Sequence, residues 1–510
     1  MRIAVPRSLG FADILFLTEA NCYRPNTTQI AAIDRYLETF LFGKLQSTST
    51  YQVLRWLEPP GTQQPPTTRS YNYVHVINVW LNAYRIVSTW FQGVAMSHNK
   101  TEYLKRAFET ARVLFTQPMT FDGGNRLGNM GESGIPLLSA ALLAEGMIKE
   151  QQELWGWWLA KASWFAKQAY PFGSEISEDT TAFEAVHFLA SSIDDDDMVQ
   201  RTAAANLATR GTLAGHFFHY GVDIRCFGDT DYQMSYMTPL GGLALLDYAV
   251  HHAPPAQAAE ILPVISASQL AMWSSVNTGQ IDPRPANIGT LGWVLNHHFT
   301  NSQLVAADWS ANTTTVNPVT GEAGLGLFGA LRASAAIVAT HPLDSSRQPI
   351  GYSAELVKTN GSTNVSELCV RPLDGIGQRV YFFSLSQAVV TLELSRDSFA
   401  LVCLTKDGPG GNSADILRGE AQFEQIIVDV SERLVSSTSA QMPPHNHTTR
   451  LDVGGITATE FKAAMVIEGG VQVPIAIGDN GNCATLSVPF ARTTRVILRR
   501  LKPSTRAQEK

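Results

Sequence analysis

Residues 71–91 read YNYVHVINVWLNAYRIVSTWF. The stretch is nearly all apolar, and a helix that is apolar all round is a buried one. Its neighbour in the chain differs. TEYLKRAFETARVLF, residues 101–115, places Tyr103, Leu104, Ala107, Phe108, Ala111, Leu114 and Phe115 at helical spacing, with charge on the other face. The same alternation continues along the chain. AAIDRYLETFLFGKLQ (31–46), SGIPLLSAALLAEGMI (133–148), QQELWGWWLAKASWFAKQA (151–169), TTAFEAVHFLASS (180–192) and DDMVQRTAAANLATRG (196–211) read as helices. So do MSYMTPLGGLALLDYAVHH (234–252), AQAAEILPVISASQLAMWSS (256–275) and GLGLFGALRASAAIVATH (324–341). An eleventh is expected around 288–297. Buried helices alternating with charged-faced ones describe inner and outer layers of helical hairpins. The expected fold is an α/α toroid of five or six hairpins over residues 27–345, after an N-terminal segment 1–26.

The texture changes near Ser345. RVYFFSLSQAVVTLELS (379–395), FALVCLTKD (399–407), FEQIIVDVSERLV (423–435), GGVQVPIAIGD (469–479), CATLSVPF (483–490) and TRVILRRL (494–501) are short and rich in β-branched residues. Gly, Asn and Asp punctuate them. An antiparallel β-sandwich over 346–501 is expected, with 502–510 a disordered tail. The class is therefore α+β, in more than one domain.

The 510 residues are ample for a sizeable core. A net charge of −7 with 16% charged residues leaves no basic footprint for nucleic acid. No apolar run is long enough to span a bilayer. MRIAVPRSLGFADILFLTEA at the start has an apolar patch but also Pro6, Arg7 and Asp13, and it is not read as a signal peptide. Asn-x-Ser/Thr sequons at Asn26, Asn99, Asn312, Asn360, Asn364 and Asn446 point weakly to secretion. Cys22, Cys226, Cys369, Cys403 and Cys483 show no zinc-ligand spacing. One or two disulfides remain open, with one Cys over.

Chemistry is sought in four connections. PFGSEISEDTTAFEAVHFL (171–189) gathers Glu175, Glu178, Asp179 and Glu184 in ten positions, where a loop enters a helix. Helix capping competes with acid–base work for Glu178 and Asp179. Glu175 lies too early to cap the same helix. RSYNYVH (69–75) opens the apolar helix, and its tyrosines are equally readable as core. DGGNRLGNMGESG (122–134) carries glycines that let backbone approach a ligand. GHFFHYGVDIRCFGDTDYQMSY (215–236) concentrates His216, His219, Tyr220, Arg225 and Asp231. IDDDDMVQ (193–200) is read as a solvated turn and helix cap, not a metal motif.

These stretches, with RSYNYVHVINVWLNAYRI and GEAGLGLFGALRASAAIVATHP, occur in an order that resembles the six-hairpin glycosidase-like superfamily. The likeness is to a domain-of-unknown-function family of secreted fungal and bacterial proteins and covers roughly residues 30–350. The family pattern would fall here on Gly173, Ser174, Glu175, Asp179, Thr180, Thr181 and Glu184, and on Arg69, Tyr71, Asn72, Tyr73 and His75. Glu178 stands where the family tends to have an aromatic residue. His216, Tyr220 and Arg225 match only loosely. Such proteins usually carry a β-domain before the toroid, so a truncated or shortened member is expected.

The resemblance implies a carbohydrate-active enzyme acting on a polysaccharide or oligosaccharide as a monomer. It needs no cofactor, metal, nucleic acid or membrane. Glycoside hydrolysis uses two carboxyls, assigned to Glu175 and Asp179. Arg69, Tyr71, Tyr73, His75, Glu184, His216, His219, Tyr220, Arg225 and Asp231 are the candidate substrate-binding residues. A polysaccharide lyase, with His219 or Tyr220 as base and Arg225 neutralising a uronate, is the alternative. A non-catalytic glycan-binding or structural protein is the third reading.

Overall fold

The computed structural model describes residues 11–55, 67, 69–90, 96–117, 126–173, 182–208, 230–253, 255–274, 298–300, 303–305, 320–340, 348–357, 365–383, 388–407, 424–431, 447–466, 471–479, 483–490 and 493–501. They form a mixed α+β protein in which most strands follow the last helix. Two compact units divide the chain: Met1–Tyr248 with Ala267–Ala333, and Ala249–Ser266 with Ser334–Lys510.

Eleven α-helices lie among the described residues. They are α1 (Phe11–Tyr23), α2 (Thr27–Tyr36), α3 (Ser70–Trp90), α4 (Lys100–Thr116), α5 (Gly134–Ala144), α6 (Ile148–Phe165), α7 (Phe183–Ser191), α8 (Asp196–Ala208), α9 (Thr230–His251), α10 (Pro255–Ser274) and α11 (Thr320–Ala333). α3 is the apolar stretch from which the fold was read. Tyr73, Val74, Val76, Ile77, Val79, Trp80 and Ile86 are each wholly buried. Full burial of one such aliphatic side chain is worth roughly 1.5–3 kcal/mol. α4 packs along α3, α6 along α5, and α8 along α7. α1 packs on both α3 and α11, so the first and last helices of this unit touch. At that crossing Gly324 meets the backbone of Ala12 so closely that a Cβ would sit 2.5 Å from the Ala12 carbonyl oxygen.

Local signals account for several helix starts. Asn26 and Asn99 cap α2 and α4, accepting hydrogen bonds from Gln29 N–H (3.0 Å) and Glu102 N–H (2.9 Å). Asp195 accepts from Met198 N–H (3.1 Å), and Asp197 pairs with Arg201 one turn on (2.9 Å). The run of four aspartates is therefore a turn and a helix cap, as its sequence suggested. Residues 31–46 are not one helix. α2 passes into a π-helical segment, Leu37–Leu45, broken at Phe42 and at Gly43, whose φ is +107°.

Two further elements depart from the sequence reading. A short antiparallel hairpin, β1 (His298–Thr300) and β2 (Gln303–Val305), lies where only helices were expected. The helix ending in SAAIVATH stops at Ala333, and Ala336–Thr340 form strand β3. The helix expected around 288–297 lies outside the described residues.

The second unit holds β3 and the strands after it: β4 (Pro349–Tyr352), β5 (Ala354–Val357), β6 (Val365–Pro372), β7 (Arg379–Phe383), β8 (Ala388–Leu394), β9 (Ser398–Asp407), β10 (Gln425–Ser431), β11 (His447–Gly454), β12 (Phe461–Val466), β13 (Gln472–Ile475), β14 (Ile477–Asp479), β15 (Cys483–Phe490) and β16 (Thr493–Arg500). They build two seven-stranded sheets, ordered β13-β12-β16-β10-β9-β6-β5 and β14-β15-β11-β8-β7-β3-β4. Pairing is antiparallel except between β3 and β7. In β10 the buried positions Ile426, Val428 and Val430 alternate with half-exposed ones, as a one-face-in strand requires. They share one core with Val380, Phe382, Leu392 and Leu486 of the other sheet, which makes the pair a sandwich. Cys369 and Cys403 face each other across β6 and β9 and form a disulfide. The buried Cys22 thiol donates to the Asn82 carbonyl (3.6 Å), Cys483 is a half-buried free thiol, and Cys226 lies outside the described residues.

Candidate functional site

The first turns of α3, the loop 126–133 and the start of α7 are tied together in the first unit. Ser70, the first residue of α3, donates to Asn129 Oδ1 (2.7 Å). Asn78, two turns along, donates to the Gly131 carbonyl (2.9 Å). Gly128 lies against Ala182, at the entry to α7. Ala182 N–H donates to the Phe172 carbonyl (3.0 Å). Phe172 and Ala182, which lie on either side of 174–181 in the sequence, are therefore both part of this junction.

Glu184 is the clasp. Its carboxylate is fully buried and accepts from Gly131 N–H (2.5 Å) and Ser133 N–H (3.1 Å). These amides precede α5, where unpaired N–H groups and the positive end of the helix favour a carboxylate. Gly131 has φ +93°, a left-handed conformation in which its N–H reaches Glu184. Burial pushes the Glu184 pKa up, against the two amides and Arg332.

Glu132, in the same loop, is held from the other side. It accepts from Asn129 N–H (3.3 Å), Asn129 Nδ2 (2.9 Å) and Lys161 Nζ of α6 (2.6 Å). Both partners of the ion pair are buried, with 1% and 0% of the Lys161 and Glu132 side chains exposed. Burial lowers the Lys161 pKa, although Glu132 opposes it. Arg332 of α11 completes the network, donating to Asn78 Oδ1 (2.9 Å), Ser133 Oγ (3.3 Å) and Glu19 Oε2 (3.3 Å). Glu19 also pairs with Arg85 at 2.9 Å. Burial works against the Glu19 charge, but the Arg332 and Arg85 guanidiniums prevail and hold its pKa down at about 2. Three carboxyls thus face three cations in a water-poor interior, which fixes loop 126–133 rigidly.

At the N-terminal end of α3, Arg69 lies over the Tyr71 ring, 5.2 Å from guanidinium carbon to centroid, and reaches Asn72 Oδ1 at 3.4 Å. Tyr71 meets His75 edge to face, with centroids 6.4 Å apart. His75 is 5% exposed, and neither ring nitrogen has a hydrogen-bond partner among the described residues. Burial, helped by the Arg69 charge, drives its pKa down to about 3. Tyr73 points elsewhere. It is fully buried, its hydroxyl donates to the Thr67 carbonyl (2.7 Å), and burial raises its pKa to about 12.

The structure thus brings Arg69, Tyr71 and His75 together at one end of α3 and places Tyr73 in the core. Glu184 has both carboxylate oxygens taken by backbone amides, so it positions the loop. Glu175, Asp179, His216, His219, Tyr220 and Arg225 lie outside the described residues, as do Glu178 and the side chain of Asp231, a residue of α9. Sequence reasoning did not single out Lys161, Glu132, Asn78, Glu19 or Arg332. Two of the asparagines had a visible signal: Asn78 and Asn82 stand one turn apart in an otherwise apolar helix.

A model of the family of unknown function DUF5695 matches residues 49–400, well over half of the chain. No curated protein matches it. Among solved structures, a GH127 beta-arabinofuranosidase aligns with a TM-score of 0.42 at 10% identity, covering 98% of this chain and 87% of that one. A likeness at that level carries no argument about fold or chemistry.

Proposed function

We infer a carbohydrate-active enzyme from a chain that belongs to the family of unknown function DUF5695. The reading is a glycoside hydrolase cleaving a polysaccharide or oligosaccharide, with Glu175 and Asp179 as the acid/base pair. Such a pair needs one carboxyl to protonate the leaving oxygen and another to activate water or attack the sugar. The observation that carries the reading is the junction just described. Phe172 and Ala182, the described residues before and after the segment that carries both carboxyls, are joined by a hydrogen bond. Beside Ala182 lie Gly128 and a loop pinned by Glu184, Glu132–Lys161 and Arg332. Catalysis by paired groups needs such rigid support, because small misplacements are costly in rate.

The helical unit is read as an α/α toroid. Packing of α1 on α11 and of successive helices in pairs supports a closed array. The Cys369–Cys403 disulfide supports passage through an oxidising compartment, in keeping with secretion. The lyase reading rests on His219, Tyr220 and Arg225, which lie outside the described residues.

The test is activity of Glu175→Gln and Asp179→Asn on a panel of plant, fungal and bacterial polysaccharides. Each variant is expected to unfold as the wild type does and to lose at least about a hundredfold in kcat, the scale of general acid–base contributions. Wild-type turnover in either variant removes that residue from the pair.

A further inference from the structure

α3 carries a polar seam through the interior of the first unit. Asn72, His75, Asn78, Asn82 and Arg85 follow one another at intervals of three, three, four and three residues, which puts them on one side of the helix. The first four are buried. A buried polar group left without a partner costs on the order of 1–3 kcal/mol. Four of the five find one. Asn72 Nδ2 donates to the Leu54 carbonyl (3.0 Å), and Asn78 holds Gly131 and Arg332. Asn82 Nδ2 donates to Thr18 Oγ1 (3.2 Å), and Arg85 pairs with Glu19. His75 is the exception, with both ring nitrogens buried and unpaired among the described residues. It sits between Asn72, which meets Leu54, and Asn78, which meets Gly131.

The chemistry of that gap is specific. At neutral pH the ring is uncharged, so one nitrogen donates and the other accepts. A hydroxyl can both give and take a hydrogen bond. A carboxylate only accepts, and an ammonium only donates. The buried Tyr71 ring beside His75, with Arg69 over it, makes the surroundings of that imidazole largely apolar.

We propose that His75 contacts substrate directly, its two ring nitrogens binding hydroxyls of an uncharged sugar near the N-terminal end of α3. The proposal rests on the carbohydrate reading and narrows it to neutral sugars over uronates. A resident water would meet the same two nitrogens, and the test separates the two.

The probes are methyl glycosides of arabinofuranose, galactose, glucose, xylose and glucuronic acid. Their binding to the full chain is followed by thermal unfolding and by calorimetry. At least one neutral glycoside is expected to bind. His75→Phe is expected to weaken it about tenfold or more, the equivalent of one lost hydrogen bond. His75→Gln, whose amide supplies a donor and an acceptor, is expected to recover part of the loss. In the wild type, the His75 Cε1–H resonance is expected to move on saturation with that glycoside. Should His75→Phe fail to fold, His75→Gln and the resonance decide. Binding of no neutral glycoside, binding of the glucuronide alone, undiminished binding in the variants or an unmoved resonance each overturns the proposal. Glycoside binding does not depend on turnover. Binding through His75 without cleavage of any polysaccharide would refute the hydrolase reading and leave this one standing. Cleavage with unchanged binding in the variants would do the reverse.

Discussion

Acidification of the wild type and of His75→Phe isolates the burial of one imidazole. The His75 pKa falls from an unfolded value of about 6.5 to about 3 in the folded chain. The unfolded state therefore binds a proton between these values that the folded state refuses. Stability from the neutral ring is fully present above pH 6.5 and is lost as pH falls toward 3. Between pH 8 and pH 5 the linkage amounts to about 2 kcal/mol of lost stability for the first unit. Glu184 has the opposite sign, since its raised pKa makes stability fall as pH rises through the folded value. It is present in both proteins and cancels in the difference. The assay is urea unfolding at the two pH values, followed by helical circular dichroism. Wild type is expected to lose about 2 kcal/mol more than His75→Phe on acidification. Equal losses would refute the assignment of a buried, neutral His75.

Other perturbations have comparable clarity. Lys161→Met leaves the buried Glu132 carboxylate without its 2.6 Å partner and should cost about 3–5 kcal/mol in thermal or urea unfolding. Adding Glu132→Gln to it should recover a substantial part, and strict additivity of the two losses would contradict the pairing. Glu184→Ala strands the Gly131 and Ser133 amides and should cost about 2–5 kcal/mol, whereas Glu184→Gln, which keeps an acceptor, should cost less. The same loss from both variants would show that the amides find other partners. Removing the Cys369–Cys403 bond by double alanine substitution should destabilise the sandwich by about 3–4 kcal/mol for a loop of 34 residues. An unchanged transition with and without reductant would show that the bond does not form.

The helical half was legible where one helix decided its own environment. Residues 71–91 are apolar on nearly every face, and α3 is buried accordingly. The aspartate run was legible because capping is local. Ala336–Thr340 was not. Its residues suit a buried helix end as well as a strand, and pairing with the distant Arg379–Phe383, on one side, and the nearer Pro349–Tyr352, on the other, settles it. Glu184 stood one turn into a helix like any surface acid, and the amides that bind it lie more than fifty residues earlier. Lys161 sits in an amphipathic helix whose charges read as solvated. Its burial depends on Glu132 reaching it from a loop. Polar residues satisfied by distant backbone leave little trace in a single sequence. The orphaned His75 is the reverse case, since the aromatic-rich RSYNYVH segment drew notice before its lack of a partner was known.

Digestion in heavy-oxygen water tests the proposed splitting of a glycosidic bond by addition of water. Purified protein is incubated with the polysaccharide panel and the products are weighed by mass spectrometry. The account predicts shortened saccharides carrying heavy oxygen at the newly formed end, and none with Glu175→Gln. Unsaturated products without the label, or no products from any polysaccharide in the panel, would contradict it.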